Sequence, residues 1–208
     1  MCISPKFGGL LDSDKMAKAK ILVVEDEAIA AMDIQNRLKE LDYDVPAIAA
    51  SGEGAIKSVE EIEPDLVVMD IILKGDMDGI DAAELIRDRF DIPVVYLTVY
   101  MDEERLEKTK VIEPYGYIIK PIEDKELRPA IEMALQRHKL EKALRESESQ
   151  YRSIFDSATD SFLIFDTDGN IVEANIQACK LYGYPYDVLI KLSGKDIVHR
   201  DYYHLFEQ

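Results

Sequence analysis

The sequence predicts a doubly wound α/β domain on a five-stranded parallel sheet, followed by a smaller α+β unit. Three observations carry this reading. From Lys20 to about Arg137, short apolar runs alternate with segments of helical periodicity. The runs are apolar throughout, as strands covered on both faces are. Four of them end on residues suited to phosphate or metal chemistry: Ile21–Val24 into Glu25 and Asp26, Leu66–Met69 into Asp70, Val94–Leu97 into Thr98, and Tyr117–Ile119 into Lys120 and Pro121. In open α/β sheets, ligands bind in the crevice beyond the carboxyl ends of the strands. Residues far apart in sequence are therefore expected to meet at one sheet edge.

The elements follow in order. After the first strand, Ala31, Ile34, Leu38 and Leu41 recur at helical spacing within 26–41. Residues 45–50 form a weaker strand, and Pro46, which cannot donate to a ladder, places it at the sheet edge. A short helix over 52–61 closes before Pro64, and the Asp70 strand leads into a loop with Gly75 and Gly79. Ala82, Leu85, Ile86 and Phe90 are the apolar stripe of the next helix. Pro93 opens the Thr98 strand, 102–110 reads as a charged, exposed helix, and the Lys120 strand follows. Such β–α alternation implies right-handed crossovers.

A last helix begins near Glu123 and meets no Gly or Pro from Gln136 to Glu146. Met133, Leu140, Leu144, Tyr151 and Ile154 lie at steps compatible with a coiled-coil seam, which Arg137 and Ser147 interrupt. Two readings stay open: a solvated connector and a dimerising helix. Composition then changes. Residues 162–165 and 171–175 flank Asp168-Gly169, a strong hairpin signal. Short helices are expected over 178–182 and 186–192. The organisation is thus a flexible tail over 1–19, the α/β domain over 20–137, a helical linker over 138–150 and a partial α+β unit over 151–208.

Composition bounds function. The formal net charge of −17 argues against a nucleic-acid surface, which needs Lys and Arg against phosphates. Two cysteines, Cys2 and Cys179, provide no disulfide framework and fit a reducing cytoplasm. No apolar run approaches the roughly 18 residues of a membrane span, and residues 1–20 lack the apolar core of a signal peptide.

If Glu25, Asp26 and Asp70 converge, their like charges in a partly desolvated crevice call for a cation. All-oxygen donors with room for water favour Mg²⁺, with Mn²⁺ a substitute. A carboxylate beside such an ion can attack a phosphoryl group to give an acyl phosphate. Thr98 would then donate to one phosphoryl oxygen and Lys120 pair with another.

Residues 20 to about 137 resemble a CheY-like receiver domain of a two-component response regulator. The resemblance is carried by Glu25-Asp26, Asp70, Thr98 and Lys120-Pro121 after successive strands, with Tyr117 at the family's switch aromatic. It implies the flavodoxin-like strand order 2-1-3-4-5 and phosphorylation of Asp70 by a sensor histidine kinase or phosphotransfer protein. It implies Mg²⁺ held by Asp26, Asp70 and the backbone carbonyl of Ile72, with Glu25 helping directly or through water. It implies a cis Lys120–Pro121 bond and a switch in which Thr98 moves toward the phosphoryl group while Tyr117 turns inward. The output surface would comprise the 102–110 helix, the Lys120 strand and the last helix. Through that helix the resemblance allows a homodimer, with no nucleic-acid or membrane partner. The loop after Asp70 departs from the pattern: it lacks the usual Met-Pro pair and is one residue longer. Val99 replaces a small residue, and Ile72 and Tyr100, at positions that tune hydrolysis, are bulky. Slow autodephosphorylation is expected.

Residues 151–208 resemble the start of a PAS domain, through Tyr151–Ala158, the Asp168-Gly169 hairpin, Glu173-Ala174-Asn175 and Leu181–Tyr184. Three of that fold's five strands have no sequence here, and no haem or flavin ligand is assigned; Cys179 reads as a structural thiol. Asp26 as a mere helix cap accounts for one residue of the set and leaves Asp70, Thr98 and Lys120 unexplained. An aspartyl-phosphate phosphatase would want an acid two residues after its nucleophile, where Ile72 stands. A scaffold that is never phosphorylated, or the receiver of a larger hybrid kinase, are the remaining alternatives. His138 lacks the acid and proline of a phosphorylated histidine box and reads as a solvated helix histidine.

Overall fold

The computed structural model describes residues 18–99 and 115–198. The tail through residue 17 with Cys2, Tyr100 and the expected 102–110 helix lie outside the described residues.

Five parallel strands form one sheet: β1 Lys20–Val24, β2 Asp44–Ala49, β3 Leu66–Asp70, β4 Val94–Thr98 and β5 Gly116–Ile119, in the order β2-β1-β3-β4-β5. Its helices are α1 Ala28–Glu40, α2 Gly52–Ile62, α3 Gly79–Phe90 and α4 Asp124–Ser157. Every residue of β3 and β4 is buried. Successive side chains point to opposite faces, and both faces are filled. Leu22, Val24, Val67, Met69, Val94 and Tyr96 pack with Val59 of α2 and Ile86 of α3. Ile21, Val23, Val68, Leu97 and Ile118 pack with Ile34 and Leu38 of α1 and Leu127 and Ile131 of α4. Continuous apolar strands are thus the sequence's response to a sheet with no wet face.

β2 is the edge strand, as Pro46 requires, and the β1–β2 register shifts beside that proline, where Lys20 pairs Asp44 but Leu22 pairs Ala47. Local chemistry sets the helix ends. Ser51 Oγ accepts the Gly54 N–H at 3.1 Å to start α2, and Asp78 accepts from the N–H groups of Ile80 and Asp81, both at 2.9 Å, to start α3. α1 starts from Glu27 without a side-chain cap, so Asp26 is not used as its cap.

α4 runs unbroken for 34 residues, with Pro129 inside it, and extends beyond the 138–150 linker through Ser157. The chain divides into two compact units within this helix, at Leu140/Glu141. Met133, Leu140, Leu144, Tyr151 and Ile154 are all exposed. His138 corrects the expectation of a solvated histidine. Its side chain is only 16% exposed and its Nε2 lies 3.4 Å from Asp91 Oδ1. The ring meets Tyr115 edge-on at 5.6 Å. The cause is spacing: position 138 continues the buried stripe of Leu127, Ile131 and Ala134.

The second unit holds an antiparallel hairpin, β6 Leu163–Phe165 and β7 Ile171–Ala174, then α5 Ile176–Tyr182, α6 Tyr186–Leu189 and α7 Gly194–Ile197. Its small core is Ile171, Ala174, Ala178 and Leu189, with Cys179 packed alongside. Asn175, fully buried, ties this unit together. Its Nδ2 donates to the carbonyls of Phe155 at 3.0 Å and Asp160 at 2.9 Å. Its Oδ1 accepts the N–H groups of Phe162 and Ala178, both at 2.9 Å, the latter capping α5.

Candidate functional site

Parallel pairing brings the strand ends together. β1, β3, β4 and β5 are neighbours in register, with Val24 beside Met69, Asp70 beside Leu97, and Thr98 beside Ile119. The residues that follow therefore share one edge. Backbone hydrogen bonds continue the ladders past the strands: Glu25 N–H to Ala49 O at 3.0 Å, Ile71 N–H to Leu97 O at 3.2 Å, and Lys120 N–H to Thr98 O at 2.7 Å. The positions of the functional groups are consequently as rigid as the sheet.

Glu25 and Asp70 are buried, at 3% and 7% exposure, and Asp26 is partly so. One carboxylate oxygen from each lies within 4.8 Å of the others. Lys120 bridges two of them, its Nζ standing 2.6 Å from Glu25 Oε2 and 2.6 Å from Asp70 Oδ2. The other Asp70 oxygen, Oδ1, accepts the Ile72 N–H at 3.0 Å, and Glu25 Oε1 accepts the Glu27 N–H at 3.2 Å. Asp26 Oδ2 pairs with Lys74 Nζ at 2.8 Å. Burial pushes the Glu25 carboxyl above its usual range, against the opposing pull of Lys120. Thr98 is buried at the end of β4. Ile72 and Val99 flank Asp70 and Thr98 in sequence and are exposed apolar residues, at 56% and 61%. The Lys120–Pro121 peptide is cis.

Tyr117 of β5 stacks on Tyr96 of β4, ring centroids 5.8 Å apart. The two are register partners across adjacent strands, Tyr96 standing two residues before Thr98 on β4. Burial drives the Tyr96 phenol well above its usual range, and its hydroxyl has no partner among the described residues. Sequence reasoning passed over Tyr96 and Lys74. The register of two apolar runs would have pointed to the first, and the lysine in the loop after Asp70 to the second.

The acidic cluster offers three hard oxygen donors of the type Mg²⁺ or Mn²⁺ takes, and Asp26 among them is only partly buried. These residues fit a divalent cation.

Comparison with known proteins shows what kind of domain this is. The sequence profile of the response regulator receiver domain matches residues 21–132. The chain belongs to the response regulator receiver family. In this family the domain is a phosphoacceptor rather than an enzyme. A PAS domain profile matches residues 149–207, so the receiver is followed by a PAS-like segment in one chain.

Among relatives of the receiver, the transcriptional regulatory protein PdtaR of Mycobacterium tuberculosis is 35% identical over 130 residues, 62% of this chain and 63% of that protein. The match therefore spans less than two thirds of that relative. The probable transcriptional regulator ycf27 of Porphyridium aerugineum is 31% identical over 180 residues, 86% of this chain and 72% of that protein. In solved structures, the signal receiver domain of a modulated diguanylate cyclase from Desulfovibrio desulfuricans is 33% identical with a TM-score of 0.57, covering 60% of this chain and 98% of that one. The N-terminal domain of a response regulator/sensory box/GGDEF 3-domain protein from Carboxydothermus hydrogenoformans is 37% identical with a TM-score of 0.54, covering 59% and 98%. No helix among the described residues is long and apolar enough to cross a membrane.

Proposed function

We propose that this chain is a cytoplasmic phosphorelay response regulator in which Asp70 accepts a phosphoryl group from a sensor histidine kinase or phosphotransfer protein. The observation that carries the reading is Lys120 Nζ held 2.6 Å from both Glu25 and Asp70, with Asp26 in the same cluster. A buried carboxylate that pairs with an ammonium and accepts a backbone N–H is oriented before any donor arrives. In the transfer, an Asp70 oxygen forms the bond to phosphorus and the bond from phosphorus to the donor imidazole nitrogen breaks. The imidazole leaves with that electron pair and takes a proton from solvent. Lys120 then pairs with one phosphoryl oxygen and the Thr98 hydroxyl donates to another. Glu25, Asp26, Asp70 and the backbone carbonyl of Ile72 would hold Mg²⁺ or Mn²⁺, which neutralises charge on the transferring oxygens when bound.

The switch runs from Thr98 to Tyr117. As Thr98 moves toward the phosphoryl group, Tyr117 turns further inward against Tyr96, changing the packing next to α4. α4 passes the change toward the PAS-like segment. Its exposed Met133, Leu140, Leu144, Tyr151 and Ile154 support a second copy of the chain as partner. Bulky Ile72 and Tyr100, at the positions that tune hydrolysis, are poor positioners of a hydrolytic water, which supports a slow loss of phosphate.

The test is acetyl phosphate with Mg²⁺ on the full chain. One added phosphoryl group by intact mass, abolished by chelation, is expected. Absence of any adduct across a pH and metal series would refute the reading and favour an unphosphorylated scaffold.

A further inference from the structure

The acidic cluster already carries an exposed cation. Lys74 lies in the loop from β3 to α3, and its Nζ sits 2.8 Å from Asp26 Oδ2. The next residue, Gly75, has φ +135°, a conformation that glycine adopts at no steric cost, so the chain turns directly after the lysine. The Lys74 side chain is 84% exposed, whereas Asp26 is 13% exposed. Lys120 differs in each respect: it approaches from within the fold, is only 20% exposed, and is shared by two buried carboxylates. Two ammoniums thus divide three carboxylates, leaving one net negative charge. A divalent ion added with both lysines in place leaves the cluster positive. One that takes the place of Lys74 leaves it neutral. Both the charge balance and the shared use of Asp26 favour exchange. The lysine that leaves is the one whose stem lies in water, where an ion pair contributes little.

We propose that Lys74 competes with the divalent cation for Asp26: it occupies that carboxylate in the metal-free receiver and swings into solvent when the ion binds. This rests on the metal-dependent reading of the site given above. Its consequence is a receiver with a deliberately weakened metal affinity, whose acids are kept from repelling one another until the ion arrives. It also assigns a task to the lengthened loop after Asp70, which delivers Lys74 to the cluster.

The experiment is Mn²⁺ titration of the full chain by calorimetry, with wild type, Lys74→Gln, Lys74→Arg and, as a charge control, Lys57→Gln on α2. A parallel measurement follows acetylation of lysine amines by mass spectrometry with and without Mn²⁺. Lys74→Gln is expected to bind Mn²⁺ roughly two- to fivefold more tightly, the scale of an exposed ion pair. Lys74→Arg and Lys57→Gln are expected to match wild type. Lys74 is expected to acetylate faster once Mn²⁺ is bound, while Lys57 does not change. Equal affinity of wild type and Lys74→Gln, or Lys74 reactivity indifferent to Mn²⁺, overturns the proposal alone. Failure of the wild type to bind Mn²⁺ at all overturns the metal-dependent reading and the proposal with it.

Discussion

Gly79 begins α3 and lies directly against the strand end that carries Asp70. Its N–H donates to the Ile71 carbonyl at 3.1 Å. A Cβ placed on it would fall inside the contact radius of the Asp70 carbonyl oxygen, 2.9 Å from the carbonyl carbon and 3.1 Å from Ile71 Cα. All three are backbone atoms, so no rotamer change relieves the clash. Carbon pairs rest at about 3.5–4.0 Å, so the contact with the carbonyl carbon alone makes Gly79→Ala separate α3 from the end of β3 by roughly 0.6–1.1 Å, and the closer carbonyl oxygen demands more. Overpacking of this kind costs about 1–3 kcal/mol. Displacing a reacting group by about 1 Å can lower a rate roughly 100-fold. The assay pairs urea denaturation with the rate of acetyl phosphate labelling in Mg²⁺. Gly52→Ala is the control, because its added Cβ would meet chiefly the flexible Met77 side chain, with Cγ at 2.9 Å. Gly79→Ala is expected to be less stable and to label about two orders of magnitude more slowly, with Gly52→Ala much closer to wild type. Wild-type stability and labelling in Gly79→Ala would refute the reasoning.

Other expectations follow from the same structure. Asn175→Ala strips four hydrogen bonds from a fully buried position, including the cap of α5. It should cost about 3 kcal/mol or more and abolish hydrogen-exchange protection in the second unit while leaving the β1–β5 sheet protected; retained protection over 160–198 would contradict this. For Glu25 the linkage sign is that of a raised acid. Its contribution to stability is most favourable below its unfolded pKa and declines as pH rises through that value to the raised folded one. Urea midpoints from pH 4 to 8 should therefore show a declining contribution that Glu25→Gln removes. Lys120→Met takes away the group that opposes burial at Glu25, so the decline should steepen, and Mg²⁺ should restore more stability to this variant than to wild type; a flat profile would argue against the pairing. After labelling, loss of phosphate should take minutes or longer, and decay within seconds would contradict the roles given to Ile72 and Tyr100.

Much of the fold was legible because a two-faced parallel sheet writes itself as unbroken apolar runs, and Pro46 marks the edge strand. The convergence of Glu25, Asp26, Asp70 and Lys120 was legible for a related reason. In a parallel sheet, the residue after each strand has little choice of where to stand. What escaped the sequence depends on tertiary neighbours. Lys74 reaches Asp26 through a loop excursion that no periodicity describes. His138 is covered because α4 keeps one face on the sheet up to that position, where Tyr115 meets it. Residues 151–157, which carry part of the PAS resemblance, are also the last turns of α4, a continuity that motif matching does not describe. Pro129 is the sixth residue of α4, past its first turn, and having no N–H it leaves the Lys125 carbonyl without the usual donor from four residues on.

The most direct measurement is peptide-level localisation of kinase-driven phosphoryl label in wild type and in Asp70→Asn, whose side chain keeps the shape but loses the nucleophilic charge. The account predicts one label, cleaved by base and by hydroxylamine as an acyl phosphate is, on the peptide containing Asp70, and none in the variant. Undiminished specific labelling of Asp70→Asn, or label recovered on another residue in wild type, would contradict it.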